Sequence, residues 1–137
     1  MMKKIKNLFP VLIILLGALS FSFAKLSSDA LINTIASSIR NANANAVASH
    51  FANNVELLLP DNEGTYSKTQ AEGMLRTFFN QNAPSSFTVN HQGSSRDGSK
   101  YAIGTYLAKD GKRYRTYFLI KKVSNNYMLH QLQFELQ

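Results

Sequence analysis

Two histidines, and a run of arginines and aromatics between them, carry most of the chemistry this sequence can offer. His91 and His130 each fall, by strict alternation, on the apolar side of their segment: His91 with Phe87 and Val89, His130 with Met128, Leu132 and Phe134. An imidazole can bind a ligand or pass a proton near neutral pH. Tyr114, also on an apolar side, would add a phenolic donor to the same space. The bland alternative is a pair of core histidines hydrogen-bonded to local backbone groups. On the opposite side of the Tyr114 segment lie Arg113, Arg115, Tyr117 and Lys121. Guanidinium groups beside an exposed aromatic suit phosphate, carboxylate or sugar contacts. The same four residues also fit a solvated face whose side-chain stems lie along the surface.

Proton abstraction beside a carbonyl would require an inward-facing carboxylate whose pKa is raised by burial. Beyond residue 24 the acids are Asp29, Glu56, Asp61, Glu63, Glu72, Asp97, Asp110 and Glu135. Each falls at a cap, a turn or a polar face, so no catalytic residue is assigned. A metal would need a third ligand beside the two histidines, and His50 lacks motif spacing. No metal and no cofactor are expected, and the absence of cysteine removes thiol catalysis and disulfides.

These residues need elements to position them. Lys3, Lys4 and Lys6, the apolar run Leu8 to Leu19, and Ser22-Phe23-Ala24 make a cleavable export signal over 1–24. The run is interrupted by Pro10 and Gly17 and is shorter than a spanning helix, and no cysteine is present for a lipid anchor. One domain over 25–137 is therefore expected, exported to the periplasm of a Gram-negative bacterium or secreted, with no stable membrane anchor after cleavage. Its 113 residues are enough for a real core. Cleavage also lowers the formal charge from +7, leaving 12 basic against 8 acidic residues. The excess lies between Arg96 and Lys122. Nucleic acid is not an expected partner, since export removes the chain from most of it and no binding motif is present.

Leu31, Ile35 and Ile39 predict a first helix capped by Ser28 or Asp29. Asn43 caps a second, with Ala44, Val47, Ala48 and Phe51 as its stripe. Val55 to Leu59 reads as a short buried strand and Asp61 to Gly64 as a turn. Ser67 and Gln70 form a capping box for a third helix with Ala71, Met74, Leu75 and Phe78 inward. The period then changes from 3.6 to 2. Strands follow around Phe87–His91, Tyr101–Leu107, Arg113–Val123 and Met128–Phe134, punctuated by Asp97-Gly98, Asp110-Gly111 and Asn125-Asn126. In the second of these strands Tyr101, Ile103, Thr105 and Leu107 form the stripe. The fold class is α+β: three N-terminal helices packed on a curved antiparallel sheet, with a cone whose wide end can stay hollow.

This order of elements resembles the nuclear transport factor 2-like (cystatin-like) superfamily, which includes ketosteroid isomerase and SnoaL-like cyclases. More narrowly, Asn54-Val55-Glu56-Leu57, His91-Gln92-Gly93-Ser94-Ser95, Gly98-Ser99-Lys100-Tyr101-Ala102-Ile103-Gly104, Lys112-Arg113-Tyr114-Arg115-Thr116-Tyr117 and Gln131-Leu132-Gln133-Phe134-Glu135 are similar to an uncharacterised family of exported Bacteroidetes proteins, a domain of unknown function. The resemblance implies a cone-shaped ligand pocket and an outer sheet face that can pair two copies. Function is the less specific inference, because one fold hosts many activities. The expectation is a noncatalytic binding or interaction module that takes a small apolar ligand in the cone or an anionic partner on the basic face. The alternatives are a SnoaL or ketosteroid isomerase-like enzyme acting on a small apolar substrate, and a structural homodimer centred on Tyr117, Leu119 and Leu129.

Overall fold

The computed structural model describes residues 26–137, so the export signal expected over 1–24 lies outside the described residues. Helix α1 spans Ser28–Arg40. Its cap is Ser27, one residue before the expected position, because its hydroxyl is the group that accepts from the Ala30 amide at 3.1 Å. Asp29 then falls in the first turn and Arg40 in the last, both favourable to the helix dipole. Leu31, Ile32, Ile35 and Ile39 are buried at helical spacing.

Helix α2 covers only Ala44–Ala48, capped by the Asn43 side chain as expected. Phe51 does not continue it. It opens strand β1, Phe51–Leu59, whose start is tied to the far end of the chain by the Leu129 amide donating to His50 O at 2.7 Å. Residues 61–64 are more than a turn: Asn62–Ser67 forms strand β2, a hairpin with β1 in which Leu58 opposes Glu63. Helix α3, Lys68–Gln81, starts from the predicted capping box of Ser67 and Gln70.

Four long strands complete the chain: β3 Pro84–Ser94, β4 Lys100–Ala108, β5 Arg113–Val123 and β6 Asn126–Leu136. Gly98 and Gly111 take the positive φ values that their hairpin turns demand, 86° and 91°. The β5–β6 turn centres on Ser124 and Asn125, both at positive φ, one residue earlier than the sequence suggests. The result is one six-stranded sheet in the order β2-β1-β6-β5-β4-β3, in which only β1 and β6 run parallel. The α+β class with helices on one face of a curved sheet is therefore present, but with two more strand pairings than the sequence pattern implied.

On β5 the inward residues are Tyr114, Thr116, Phe118 and Ile120, as expected. On β4 the expected stripe is inverted. Ala102, Tyr106 and Ala108 are buried, whereas Tyr101, Ile103, Thr105 and Leu107 face outward. Gly104 shares the inner face, where an added Cβ would stand 2.5 Å from Thr88 O and 3.0 Å from the Phe87 ring, so the site has no room for a side chain. Small residues on this face leave space for Tyr106, which is fully buried.

Two register shifts decide the faces of the remaining strands. In β3, Val89 opposes Gly104 but His91 opposes Ile103, so Asn90 is an extra residue. In β6, Leu129 opposes Ile120 but Gln131 opposes Leu119, so His130 is extra. Each bulge switches the parity of everything beyond it. Leu129, placed on the outer face by simple alternation, is consequently in the core with Leu132 and Phe134, and Met128 moves outward opposite Lys121.

Candidate functional site

The space where a ligand was expected is filled. Phe78 on α3 packs on Phe134 with ring centroids 4.6 Å apart, and meets Tyr114 edge-on at 5.2 Å. Tyr106 meets Phe134 at 5.3 Å, and Phe79 flanks both. Edge-to-face and tilted contacts at these distances are favourable beyond the area they bury. This aromatic cluster closes the inside of the cone.

A cleft of about 490 Å³ opens at one end, between the second half of α3, the β1–β2 turn, the start of β5 and the end of β6. Leu59, Met74, Phe78 and Leu136 supply its apolar walls. Its polar groups include Asn82, Tyr114, Gln81 and Thr77, with Lys112 and Asp61 also lining it. Lys112 is paired loosely with Asp110 at 3.7 Å, both exposed.

Asn82 organises the floor. Its side-chain Oδ1 accepts from the Tyr114 hydroxyl at 2.8 Å, its main-chain carbonyl accepts from the Tyr106 hydroxyl, and its Nδ2 donates to Phe78 O at 3.1 Å. Burial raises the pKa of both phenols, reinforced for Tyr106 by Tyr114 and for Tyr114 by Asp110 and Asp61. Both are neutral donors at physiological pH. The floor is thus a fixed set of hydrogen bonds beside apolar side chains. The sequence pattern places Met74 on the inward stripe of α3 and gives Asn82 no site role, because their place at the cleft depends on where α3 ends relative to β5.

Of the three residues expected in the cone, Tyr114 alone lines this cleft. His91 and His130 are corrections. The β3 bulge places His91 on the outer face, exposed, with Nε2 3.3 Å from the Tyr101 hydroxyl. Tyr101 in turn stacks on Tyr117 at 6.1 Å, and its ring lies over Gly93. His130 is the extra residue of the β6 bulge, where its Nε2 is buried without a hydrogen-bond partner. Desolvation lowers its pKa and the charge of Lys121 lowers it further, so it is neutral at pH 7. The two histidines stand on strands separated by β5 and β4, so they form no common site. No three potential ligands among the described residues approach closely enough to hold a metal ion.

The four basic-face candidates do share a face. Arg113, Arg115, Tyr117 and Lys121 alternate outward along β5. Burial raises the Tyr117 pKa, with smaller contributions from Tyr101 and Glu56, so that ring is a neutral aromatic surface. No described helix is long and apolar enough to cross a membrane.

Residues 32–135 match the profile of a domain of unknown function, DUF4783. A DUF4783 family protein from Bacteroides uniformis superposes with a TM-score of 0.71 at 27% identity, covering 77% of this chain and 95% of that one. One from Bacteroides ovatus gives 0.70 at 26% identity, covering 76% and 93%. An NTF2-like protein of unknown function from Cytophaga hutchinsonii, 10% identical, gives 0.60 over 84% of this chain and 94% of its own. At that identity the likeness concerns fold alone, and the fold is nuclear transport factor 2-like. No curated protein matches the chain.

Proposed function

This chain belongs to the DUF4783 family, and from that premise and the cleft just described we propose that it is an exported, noncatalytic binding module for a small ligand. The cleft at the end of α3 carries the proposal: about 490 Å³ walled by Leu59, Met74, Phe78 and Leu136 over a fixed Tyr114–Asn82 pair. That volume lies in the range of small-molecule sites, and the lining divides about evenly between apolar side chains and polar groups that can fix a ligand's orientation. The ligand enters with its apolar body against Met74 and Phe78 and its polar end toward Gln81 and Lys112. The proposed site of action is the periplasm or the exterior, supported by the Lys3–Ala24 export pattern.

Native mass spectrometry of the protein purified from its source tests this. The expected result is a copurifying small molecule whose retention is lost in Thr77→Trp, which fills the cleft from an exposed helix position. A ligand retained undiminished by a folded Thr77→Trp variant would refute this site. Absence of any bound species, with no amide shifts at Met74 or Asn82 in a fragment screen, would refute the function.

A further inference from the structure

Three aromatic rings follow one another across the outer face of the sheet. His91 on β3 stands 5.8 Å from Tyr101 on β4, and Tyr101 stands 6.1 Å from Tyr117 on β5, centroid to centroid. The two tyrosine rings are within 27° of parallel. Tyr101 lies down on the sheet because Gly93, opposite it on β3, has no side chain. A Cβ there would stand 2.7 Å from the ring's Cε1 and closer still to its Cζ and hydroxyl. Tyr117, nearly parallel to Tyr101, is therefore close to flat as well, and both rings are only half-buried. Hydrogen-bonding groups border this strip. On β6, Gln133 opposes Tyr117 and Gln131 opposes Leu119, while Arg115 precedes Tyr117 by two residues on the same face. Glu56 on β1 opposes Gln131, and its charge adds to burial and to Tyr101 in raising the Tyr117 pKa, so its carboxylate is near that phenol. Neither Arg115 nor Glu56 forms an ion pair with a described residue.

We infer that this strip is a binding platform for an uncharged oligosaccharide chain, separate from the cleft at the end of α3, which none of these residues lines. A pyranose has an apolar face of C–H groups and a rim of hydroxyls. The C–H groups pack on the electron-rich face of an aromatic ring, and a level row of rings accepts successive sugars of an extended chain. Each hydroxyl both donates and accepts. The Gln131 and Gln133 amides offer both roles beside the strip, Glu56 accepts and Arg115 donates. Charge selects among chains. Arg113, Arg115 and Lys121 on β5 are matched on the same face by Glu56, Glu63 and Glu135, and Glu135 directly opposes Arg115. A nucleic acid or polyuronate laid across the strip would bring its own charges against these carboxylates, a like-charge contact of the kind that rejects partners. A protein partner is held by aromatic anchors that enter pockets, whereas Tyr101 and Tyr117 lie along the surface.

Isothermal titration calorimetry tests this with cellohexaose, xylohexaose, mannohexaose and maltohexaose as neutral probes, and with oligogalacturonate and oligo-dT as charged ones. At least one neutral probe is expected to bind and to shift the amide resonances of Tyr101, Tyr117 and Gln131, leaving those of Met74 and Asn82 in the cleft unmoved. Tyr117→Ala removes one stacking contact and weakens that binding by about 10-fold. Gly93→Ala is the sharper variant. Gly93 lies within β3 at an ordinary strand φ, so alanine is accommodated there, and its methyl displaces the free end of Tyr101 from the sheet. It should weaken binding by about the same factor without removing any aromatic ring. Circular dichroism confirms that both variants fold. The inference is overturned if no neutral probe binds, if either variant leaves binding undiminished, or if the shifts fall at the cleft instead. Tighter binding of oligogalacturonate or oligo-dT than of every neutral probe overturns it too. So does a wild-type dimer that Tyr117→Ala dissociates, which would give this face to a second copy of the chain.

Discussion

Asn82→Ala is the most searching test of the cleft floor. The substitution removes the acceptor of the Tyr114 hydroxyl, which belongs to a residue only 3% exposed. A buried hydroxyl left unpaired costs about 1–3 kcal/mol. Two neighbouring bonds survive, because the Tyr106 hydroxyl donates to the Asn82 main-chain carbonyl, and the Asn82 amide donates to Phe78 O at 2.8 Å. The expected loss is therefore about 2 kcal/mol, or roughly 8 °C in Tm for a domain of this size. Tyr114→Phe, by contrast, removes the hydroxyl itself and strands no donor, and costs about 1 kcal/mol. In the double variant no hydroxyl is stranded, so its loss falls short of the sum by about 1 kcal/mol. Urea unfolding followed by circular dichroism reads all four corners of this cycle. Strict additivity, or an Asn82→Ala variant within about 0.5 kcal/mol of wild type, would refute the claim that Asn82 holds Tyr114 in place.

Thr116 is fully buried on β5 with its Oγ1 unpartnered, so Thr116→Val, which substitutes a methyl for that hydroxyl, should stabilise the protein by about 1 kcal/mol; an unchanged or lower urea midpoint would contradict the reading. His50 and His130 both have pKa values lowered by burial, with Lys68 and Lys121 respectively adding to the effect. The unfolded chain therefore binds more protons below pH 6.5, and stability should decline as pH falls through that value. Replacing both with Asn should flatten the unfolding free energy between about pH 7 and 5, and an undiminished slope would exclude them as its source.

Several features follow from neighbouring residues alone, and these were legible. Ser67 and Gln70 cap α3 within one turn, Asn43 caps α2, and Asp97-Gly98 and Asp110-Gly111 turn their hairpins because glycine reaches positive φ without steric cost. The inward face of β5 was equally plain, since no bulge interrupts it before Leu119. Phe51 was harder. Its spacing with Val47 and Ala48 fits a helix, but pairing with Leu129, distant in sequence, draws it into β1.

The site itself depended on tertiary structure. Alternation in the sequence aims His91 and His130 at one interior, yet each lies at or just beyond a bulge, and one added residue exchanges the two faces of a strand. Nothing local to Asn90 or His130 announces that insertion; it is set by the register of β4 and β5 and by the parallel contact with β1. The cleft likewise exists because α3 ends at Asn82 against Tyr106 and Tyr114, residues 24 and 32 positions away in the chain. Composition and periodicity determined the helices, the turns and the α+β class, which rest on interactions within a few residues. Register, and with it the identity of the residues that face the cleft or the outer surface of the sheet, rests on pairings between distant strands, and only the folded sheet could decide it.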